Sequence, residues 1–298
     1  MTVEELADGA YEFKRGNVTR RFAGSGSLEN NFAVWLCGNK YATFELLKKN
    51  GFQQIPYHRR YSLSTIEEAR HDFVMRDRPV VIKPSNGTSG GDGVTVNIRS
   101  IKQLNRAIFN SLRYDSNYLL EDFIEGDNFR ILLFKNRMIS AVHRIPANVK
   151  GDGMNDIKHL IRMENVRRTT DESFGLKPIL TDRDVRQTLL DRKISLNHVP
   201  AKNEIVYLRR VCNHRVGGEW RDVTSIVHPD IIRYCGSIMR LLNITLGGID
   251  IIAKSIERPL SETGGVINEV NIGPGLRIHE KAAIMNLLDL AFEEGPAP

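Results

Sequence analysis

The sequence predicts an α+β protein of two subdomains with largely antiparallel sheets. Three observations lead there. Helical and strand periods alternate from Lys40 to Phe123, and two apolar runs, Phe129 to Phe134 and Met138 to Arg144, are joined only by Lys135-Asn136-Arg137, as in a hairpin. Two further strands, Gly247 to Ile252 and Gly265 to Asn271, stand near the end of the chain and would join the sheet of that hairpin.

Residues 1–37 contain Gly and Arg, are weakly periodic and poor in apolar residues, and are expected as an N-terminal segment rather than a domain. A domain of 38–298 follows, its first subdomain running to about residue 123 and its second from about 124. Lys40 to Lys49 reads as a helix with Phe44 and Leu47 inward and Gly51 as its left-handed stop, and Ser64-x-x-Glu67 reads as a capping box opening another helix. Strand Val80-Val81-Ile82, a Gly-rich turn and strand Val94 to Ile98 come next. A helix opened by Ser100-x-x-Gln103 keeps Ile101, Leu104, Ile108 and Leu112 in step, and strand Tyr118 to Phe123 closes this α+β unit. Beyond the hairpin, helices are expected near Asp156 to Arg162 and Asp182 to Arg192 and from Pro229, with a strand at Ile205 to Arg209. The polar stretch from Glu164 to Lys177 reads as a mobile loop.

With 298 residues, 41% hydrophobic and 26% charged, the chain can bury a sizeable core in one large or two modest domains. No apolar run approaches the roughly 20 residues of a membrane helix, and the acidic Met1 to Glu5 lacks a secretory h-region, so no membrane association and a cytoplasmic location are expected. Cys37, Cys212 and Cys235 are too few and too scattered for a disulfide framework and form no zinc-binding pattern; they read as buried thiols. The formal charge of +6 is spread over dispersed arginine pairs without interleaved aromatics, which favours anionic small molecules over nucleic acid as partners. Composition does not fix the number of copies in solution, and a homo-oligomer stays open.

Asp250 lies in an apolar strand, and in Asn268-Glu269-Val270-Asn271 the period of two puts Glu269 and Asn271 on one face, about 7 Å apart at Cα. A carboxylate on one strand with a carboxylate and an amide on the next suits Mg²⁺, a hard cation that takes few protein oxygens and completes its shell with phosphates and water. Phosphate chemistry is the first hypothesis. The stretch Lys83 to Val94 places Gly87, Gly90, Gly91 and Gly93 among Ser85, Thr88 and Ser89 between two strands. Backbone N–H groups freed by glycine fold over phosphate oxygens, and Lys83 adds a point charge; a flexible hairpin turn has the same composition. The Walker spacing G-x-x-x-x-G-K is absent, and two flanking strands argue against a Rossmann turn. At Glu121 to Gly126, where one subdomain passes to the next, backbone groups of Phe123 and Ile124 can face an adenine edge and Glu121 its exocyclic amine; the bland reading is an acidic turn. Arg130, Arg144, Arg210 and Arg277 sit on or beside predicted strands, where a guanidinium holds a carboxylate or neutralises a phosphoryl group, although most strand arginines are solvated or paired. His279 is a substrate or phosphate contact or an ordinary surface histidine.

Taken in order, these pieces resemble the ATP-grasp fold, in which ATP is held between two α+β subdomains: Lys40, then Lys83 before a Gly-rich loop, a Glu121-x-Phe123-Ile124-x-Gly126 hinge, and terminal strands carrying Gly248-Ile249-Asp250 and Glu269-Val270-Asn271-x-Gly273-Pro274-Gly275. The likeness is to the ATP-grasp domains of cyanophycin synthetase and of the bifunctional glutamate-cysteine ligase/glutathione synthetase. Their signatures stand here as Val81-Ile82-Lys83-Pro84, Phe129-Arg130-Ile131-Leu132, Arg144 to Gly153, Val206-Tyr207-Leu208-Arg209 and Asn271 to His279, so the resemblance covers Lys40 to Glu280. It implies that Lys40 and Lys83 contact ATP phosphates, that the loop with Gly87, Ser89, Gly90, Gly91 and Gly93 closes over them, and that Glu121, Phe123 and Ile124 read adenine. Asn128 stands at the ribose position, where those relatives carry a carboxylate and this chain has Asp127 one residue early. Asp250, Glu269 and Asn271 would hold two Mg²⁺ ions, Arg130, Arg277 and Lys83 would serve catalysis, and Arg144, Arg210 and His279 would meet substrate.

The activity implied is amide-bond formation: a substrate carboxylate attacks the γ-phosphate, and an amine then attacks the acylphosphate, releasing phosphate after ADP. The protein's part is positioning, positive charge and exclusion of water, which these residues suit. Asn165 to Thr170 replaces the N-P-x-R-G segment of the relatives, and neither a Mur-ligase-like domain nor a glutamate-cysteine ligase domain is present. The expectation is therefore a free-standing ligase joining amino acids or short peptides. A kinase of a small carboxylate or hydroxyl substrate and a non-catalytic nucleotide-binding protein are the alternatives.

Overall fold

Strand pairing begins at the N-terminus with an antiparallel meander of β1 (Thr2–Ala7), β2 (Ala10–Arg15) and β3 (Val18–Ala23), within the stretch expected only as a segment. The computed structural model describes residues 2–7, 10–16, 18–23, 31–86, 91–170 and 176–293. Helices α1 (Asn31–Gly38) and α2 (Lys40–Lys49) follow. α2 starts where Asn39 accepts the Ala42 N–H (2.9 Å), buries Phe44 and Leu47, and ends before Gly51 at φ +81°, as its sequence predicts. Contacts divide the chain into two compact units, one of Met1–Gly87, Gly93–His143 and Asp222–Pro298, the other of Thr88–Asp92 and Arg144–Arg221.

The first unit continues through β4 (His58–Ser62), α3 (Ile66–Arg76), β5 (Val80–Pro84), β6 (Thr95–Ile98), α4 (Ile101–Ser111) and β7 (Asn117–Asp122). The strands form an antiparallel sheet in the order β4-β7-β5-β6, over a core of Ile82, Ile98, Leu104, Ile108 and Leu120. Ser100 caps α4 as expected, accepting the Gln103 N–H. The expected box at Ser64-x-x-Glu67 is displaced: a 3₁₀ turn at Leu63–Thr65 precedes α3, and Thr65 Oγ1 accepts the Ser62 N–H (2.9 Å). The hairpin β8 (Asp127–Phe134) and β9 (Arg137–Ile145) turns on Lys135 and Asn136, both at positive φ, the geometry of a two-residue loop whose twist matches its strands.

The second unit holds β10 (Asn148–Lys150), α5 (Ile157–Thr170), α6 (Arg183–Asp191) and β11 (Ile205–Tyr207), with β10 and β11 paired and Val149, Ile157, Ile161, Val185, Leu189 and Val206 in its core. The loop expected over 164–177 is in part helix, because α5 runs to Thr170. Its last turn buries an arginine instead of a hydrophobe. Arg168, whose side chain is fully buried, donates to Glu164, Glu219 and the carbonyls of Lys177 and Gly217, so apolar periodicity lapses where the helix does not.

The chain returns through β12 (Glu219–Asp222) to the first unit and to α7 (Pro229–Leu242), β13 (Leu246–Ala253), α8 (Leu260–Thr263), β14 (Val266–Ile272) and α9 (Lys281–Glu293). β9, β8, β13 and β14 lie side by side in that order, and α7 lays Ile231, Cys235, Ile238, Met239 and Leu242 into the core beneath them. Burial pushes the Cys235 thiol up to about 12, which makes it a packing group rather than a nucleophile. Among the described residues no helix is long and apolar enough to cross a membrane.

Candidate active site

Three strands of the first unit place the acidic and basic residues in a row. Register sets Asp250 of β13 opposite Arg130 of β8 on one side and opposite Glu269 of β14 on the other, and directly opposed residues share a face. Arg130 donates from Nε to Asp250 Oδ1 (2.6 Å) and from Nη2 to Oδ2 (2.8 Å). Burial works against the guanidinium charge, but Asp250 more than offsets it and the pKa of Arg130 is raised. Gly248, two residues before Asp250, leaves room for this: a Cβ there would stand 2.9 Å from Pro274 Cβ and 3.4 Å from Arg130 Cδ. Asn271 Nδ2 lies 3.5 Å from both Asp250 Oδ2 and Glu269 Oε2.

Two lysines reach this row from other elements. Lys40, the first residue of α2, pairs with Glu269 (3.3 Å), while its own N–H donates to Ser85 O at the end of β5. Lys83 on β5 pairs with Glu121 on β7 (2.9 Å) and donates to the Asn268 carbonyl of β14 (3.3 Å), tying two sheets of this unit together. Lys40, Lys83, Glu121 and Asp250 are all at most 8% exposed, and each buried charge has an opposite one. Glu121 Oε1 is buried with no hydrogen-bond partner among the described residues, an acceptor that an amine would satisfy. The Phe123 N–H donates to Pro79 O, which leaves the Phe123 carbonyl and the Ile124 N–H, without partners among the described residues, as main-chain acceptor and donor. Asn128 sits half-buried on β8 opposite Ile252, and Asp127 beside it is exposed.

Of the glycine loop, Gly87, Ser89 and Gly90 lie outside the described residues. Gly91 (φ +89°) and Gly93 (φ +73°) adopt backbone only glycine takes easily, and a Cβ on Gly91 would stand 2.7 Å from Val211.

Asp250, Glu269 and Asn271 are thus gathered as the strand periods predict. Among the described residues no three His, Cys, Asp or Glu side chains are grouped to hold a metal, so a cation here would depend on the Asn271 amide as third ligand. The geometry fits one. The amide points its nitrogen at both carboxylates, and a half-turn about its terminal bond replaces that nitrogen with an oxygen, completing an all-oxygen set suited to Mg²⁺.

No protein-family model matches the chain. It is 31% identical over 251 residues to a cyanophycin synthetase of Trichormus variabilis, a match covering 83% of this chain and 27% of the relative. It is 28% identical to the glutathione biosynthesis bifunctional protein of Clostridium perfringens, over 89% of this chain and 35% of that one. In structure it resembles a bifunctional glutathione synthetase from Pasteurella multocida, with TM-score 0.66, 23% identity, 98% of this chain and 41% of the other. The chain has the ATP-grasp fold. The chain spans roughly a quarter to a third of the length of the curated relatives it matches. A D-alanine–D-alanine ligase from Bacillus anthracis shares the ATP-grasp architecture at TM-score 0.55 with 14% identity, over 89% of this chain and 69% of its own.

The remaining candidates divide between the two units of this ATP-grasp chain. Arg277, in the 3₁₀ turn Leu276–Ile278, is exposed and has no ion-pair partner among the described residues. His279 follows it and is buried, not a surface histidine, with Nδ1 2.9 Å from Ser140 Oγ. Arg144 and Arg210 belong to the second unit, where Arg144 donates to the Cys212 carbonyl and Arg210 pairs with Asp191 (2.8 Å). Sequence reasoning missed Ser140 and Gly248. The signal for Gly248 was present, since a glycine pair inside a strand marks close approach; a lone serine in an apolar strand names no partner.

Proposed function

We propose that the chain is an Mg-ATP-dependent carboxylate–amine ligase that joins amino acids or short peptides in the cytoplasm, with 38–298 as its catalytic domain. The observation that carries the reading is the joined row of buried and half-buried ion pairs, Lys40–Glu269, Lys83–Glu121 and Arg130–Asp250, which concentrates fixed charge of both signs where phosphate and metal must meet.

Lys40 and Lys83 hold the ATP phosphates, Lys40 from the start of α2, where the helix dipole also favours an anion. The Glu121 Oε1 acceptor and the main chain at Phe123 and Ile124 take the adenine edge. Asp250, Glu269 and Asn271 hold Mg²⁺, which when bound neutralises phosphate charge. Arg130 and Arg277 orient the acid and stabilise charge as it moves. The substrate carboxylate oxygen bonds to the γ-phosphorus as the bond to ADP's bridging oxygen breaks; the amine nitrogen then bonds to the acyl carbon, phosphate leaves, and the amine's proton passes to solvent. The test is a screen of amino-acid pairs scored by ADP formation and product mass. Amine-dependent phosphate release with a new amide is expected. A stable phosphorylated product formed without an amine overturns the reading in favour of a kinase.

A further inference from the structure

His279 is held rigidly for a residue with an unsatisfied end. Its N–H donates to Leu276 O at the close of the 3₁₀ turn, the residue is 5% exposed, Nδ1 meets Ser140 Oγ, and Nε2 is buried with no partner among the described residues. Ser140 is fully buried and has no other side-chain hydrogen bond among the described residues. Burial first, then the positive charge of Arg130, lowers the imidazole pKa to about 4 against the opposing pull of Asp222 and Asp250, so the ring is neutral at pH 7 and carries one proton.

Where that proton sits follows from counting hydrogen-bond capacity. With the proton on Nδ1, the ring donates to Ser140 and leaves two groups idle, the serine O–H and the Nε2 lone pair. With the proton on Nε2, Ser140 donates to Nδ1 and only the Nε2–H is idle. An idle buried polar group is costly, so the second arrangement is preferred, and it presents one unmatched buried donor.

We propose that Ser140 fixes His279 as the Nε2–H tautomer and that this N–H donates to a carboxylate oxygen of the acid substrate. This rests on the ligase reading for the identity of the anion, not for the tautomer. Ser140 is a positioning residue, acting through His279. A neutral donor suits this place because it adds hydrogen bonding without adding a buried cation.

The tautomer is tested on the whole chain without substrate, by ¹⁵N NMR of the histidine ring at about pH 7. A protonated Nε2 and bare Nδ1 are expected in the wild type, and loss of that fixed preference in Ser140→Ala; a protonated Nδ1 in the wild type overturns the proposal. The donor role is tested with an acid and amine that support ADP formation. His279→Phe should raise KM for the acid roughly ten- to hundredfold, the factor a hydrogen bond to a charged acceptor carries, with KM for ATP within about twofold. His279→Gln, which keeps an N–H donor and guards against misfolding of the Phe variant, should recover most of that loss. A rise in KM for ATP instead, or equal loss in both variants, assigns the N–H to phosphate or to packing and overturns the proposal. If no acid and amine support turnover, the ligase reading and with it the donor assignment fall, while the NMR result still decides the tautomer.

Discussion

The Arg130–Asp250 pair is the most exposing place to perturb this site, because its strength comes from burial on both sides. The arginine side chain is 13% and the aspartate 7% exposed, and the bonding is bidentate. Replacing Arg130 with Met keeps the apolar stem but withdraws two charged donors, and Asp250→Asn withdraws the charge from the other side. Removing one partner of a buried pair costs about 3–5 kcal/mol, and the residual exposure puts each single variant near the lower end, ~3 kcal/mol. The double variant Arg130→Met with Asp250→Asn loses the attraction but also the uncompensated charge. It should fall well short of the ~6 kcal/mol sum, with a coupling of about 2 kcal/mol or more. Urea unfolding followed by tryptophan fluorescence and circular dichroism measures this, provided both probes give one transition and m is unchanged. Single-variant losses that add within ~0.5 kcal/mol would refute the claim that these two groups hold one another.

Three further outcomes follow from the same geometry. In Gly248→Ala the new methyl meets Pro274 at 2.9 Å and crowds Arg130, so a loss of about 1–3 kcal/mol in urea stability should accompany a larger proportional loss of ADP formation; an unchanged rate removes Gly248 from the site's geometry. Glu269→Gln keeps shape but removes a ligand charge and the partner of Lys40, and should raise the Mg²⁺ concentration for half-maximal rate by at least ~10-fold; wild-type Mg²⁺ dependence in the folded variant would sink the metal assignment. His279 titrates near 4 when folded and near its ordinary 6.5 when unfolded, so between those values the unfolded chain binds the extra proton and stability falls as pH falls. The effect is at most roughly 3 kcal/mol, and His279→Gln should lack it, so wild-type and variant urea midpoints that run parallel from about pH 7 to 4.5 contradict the shift.

The site was legible where it follows strand period and cross-strand opposition. Asp250, Glu269 and Asn271 were readable as one face because a strand alternates strictly, and the fold then needed only to set β13 beside β14. Lys83's contact with the Asn268 carbonyl was not readable: it joins residues 185 apart through a main-chain atom that any residue supplies. The helical turn ending at Thr170 was hidden for a different reason, since a buried arginine satisfied by four acceptors leaves the same polar pattern as a loop. The start of α3 slipped because serines at 62 and 64 and Thr65 are all competent caps, and local sequence cannot choose among them.

The charge balance of the row explains how so polar a cluster stays folded and, on the proposed reading, how it would receive a nucleotide. Lys40, Lys83 and Arg130 are matched by Glu269, Glu121 and Asp250, three cations against three carboxylates, so the protein alone is neutral there and no buried charge stands unopposed. A polyphosphate entering by itself would turn the lysines away from Glu121 and Glu269 and strand those carboxylates. On the proposed reading, entry of a fully ionised nucleoside triphosphate together with two divalent cations would let the lysines take phosphate while Glu269, Asp250 and Asn271 take the metal, and the added charges would cancel. Coupled entry therefore has a physical cause in this arrangement: affinity for the nucleotide should depend on Mg²⁺ more steeply in the wild type than in Glu269→Gln, because only the wild type has the displaced carboxylate to satisfy.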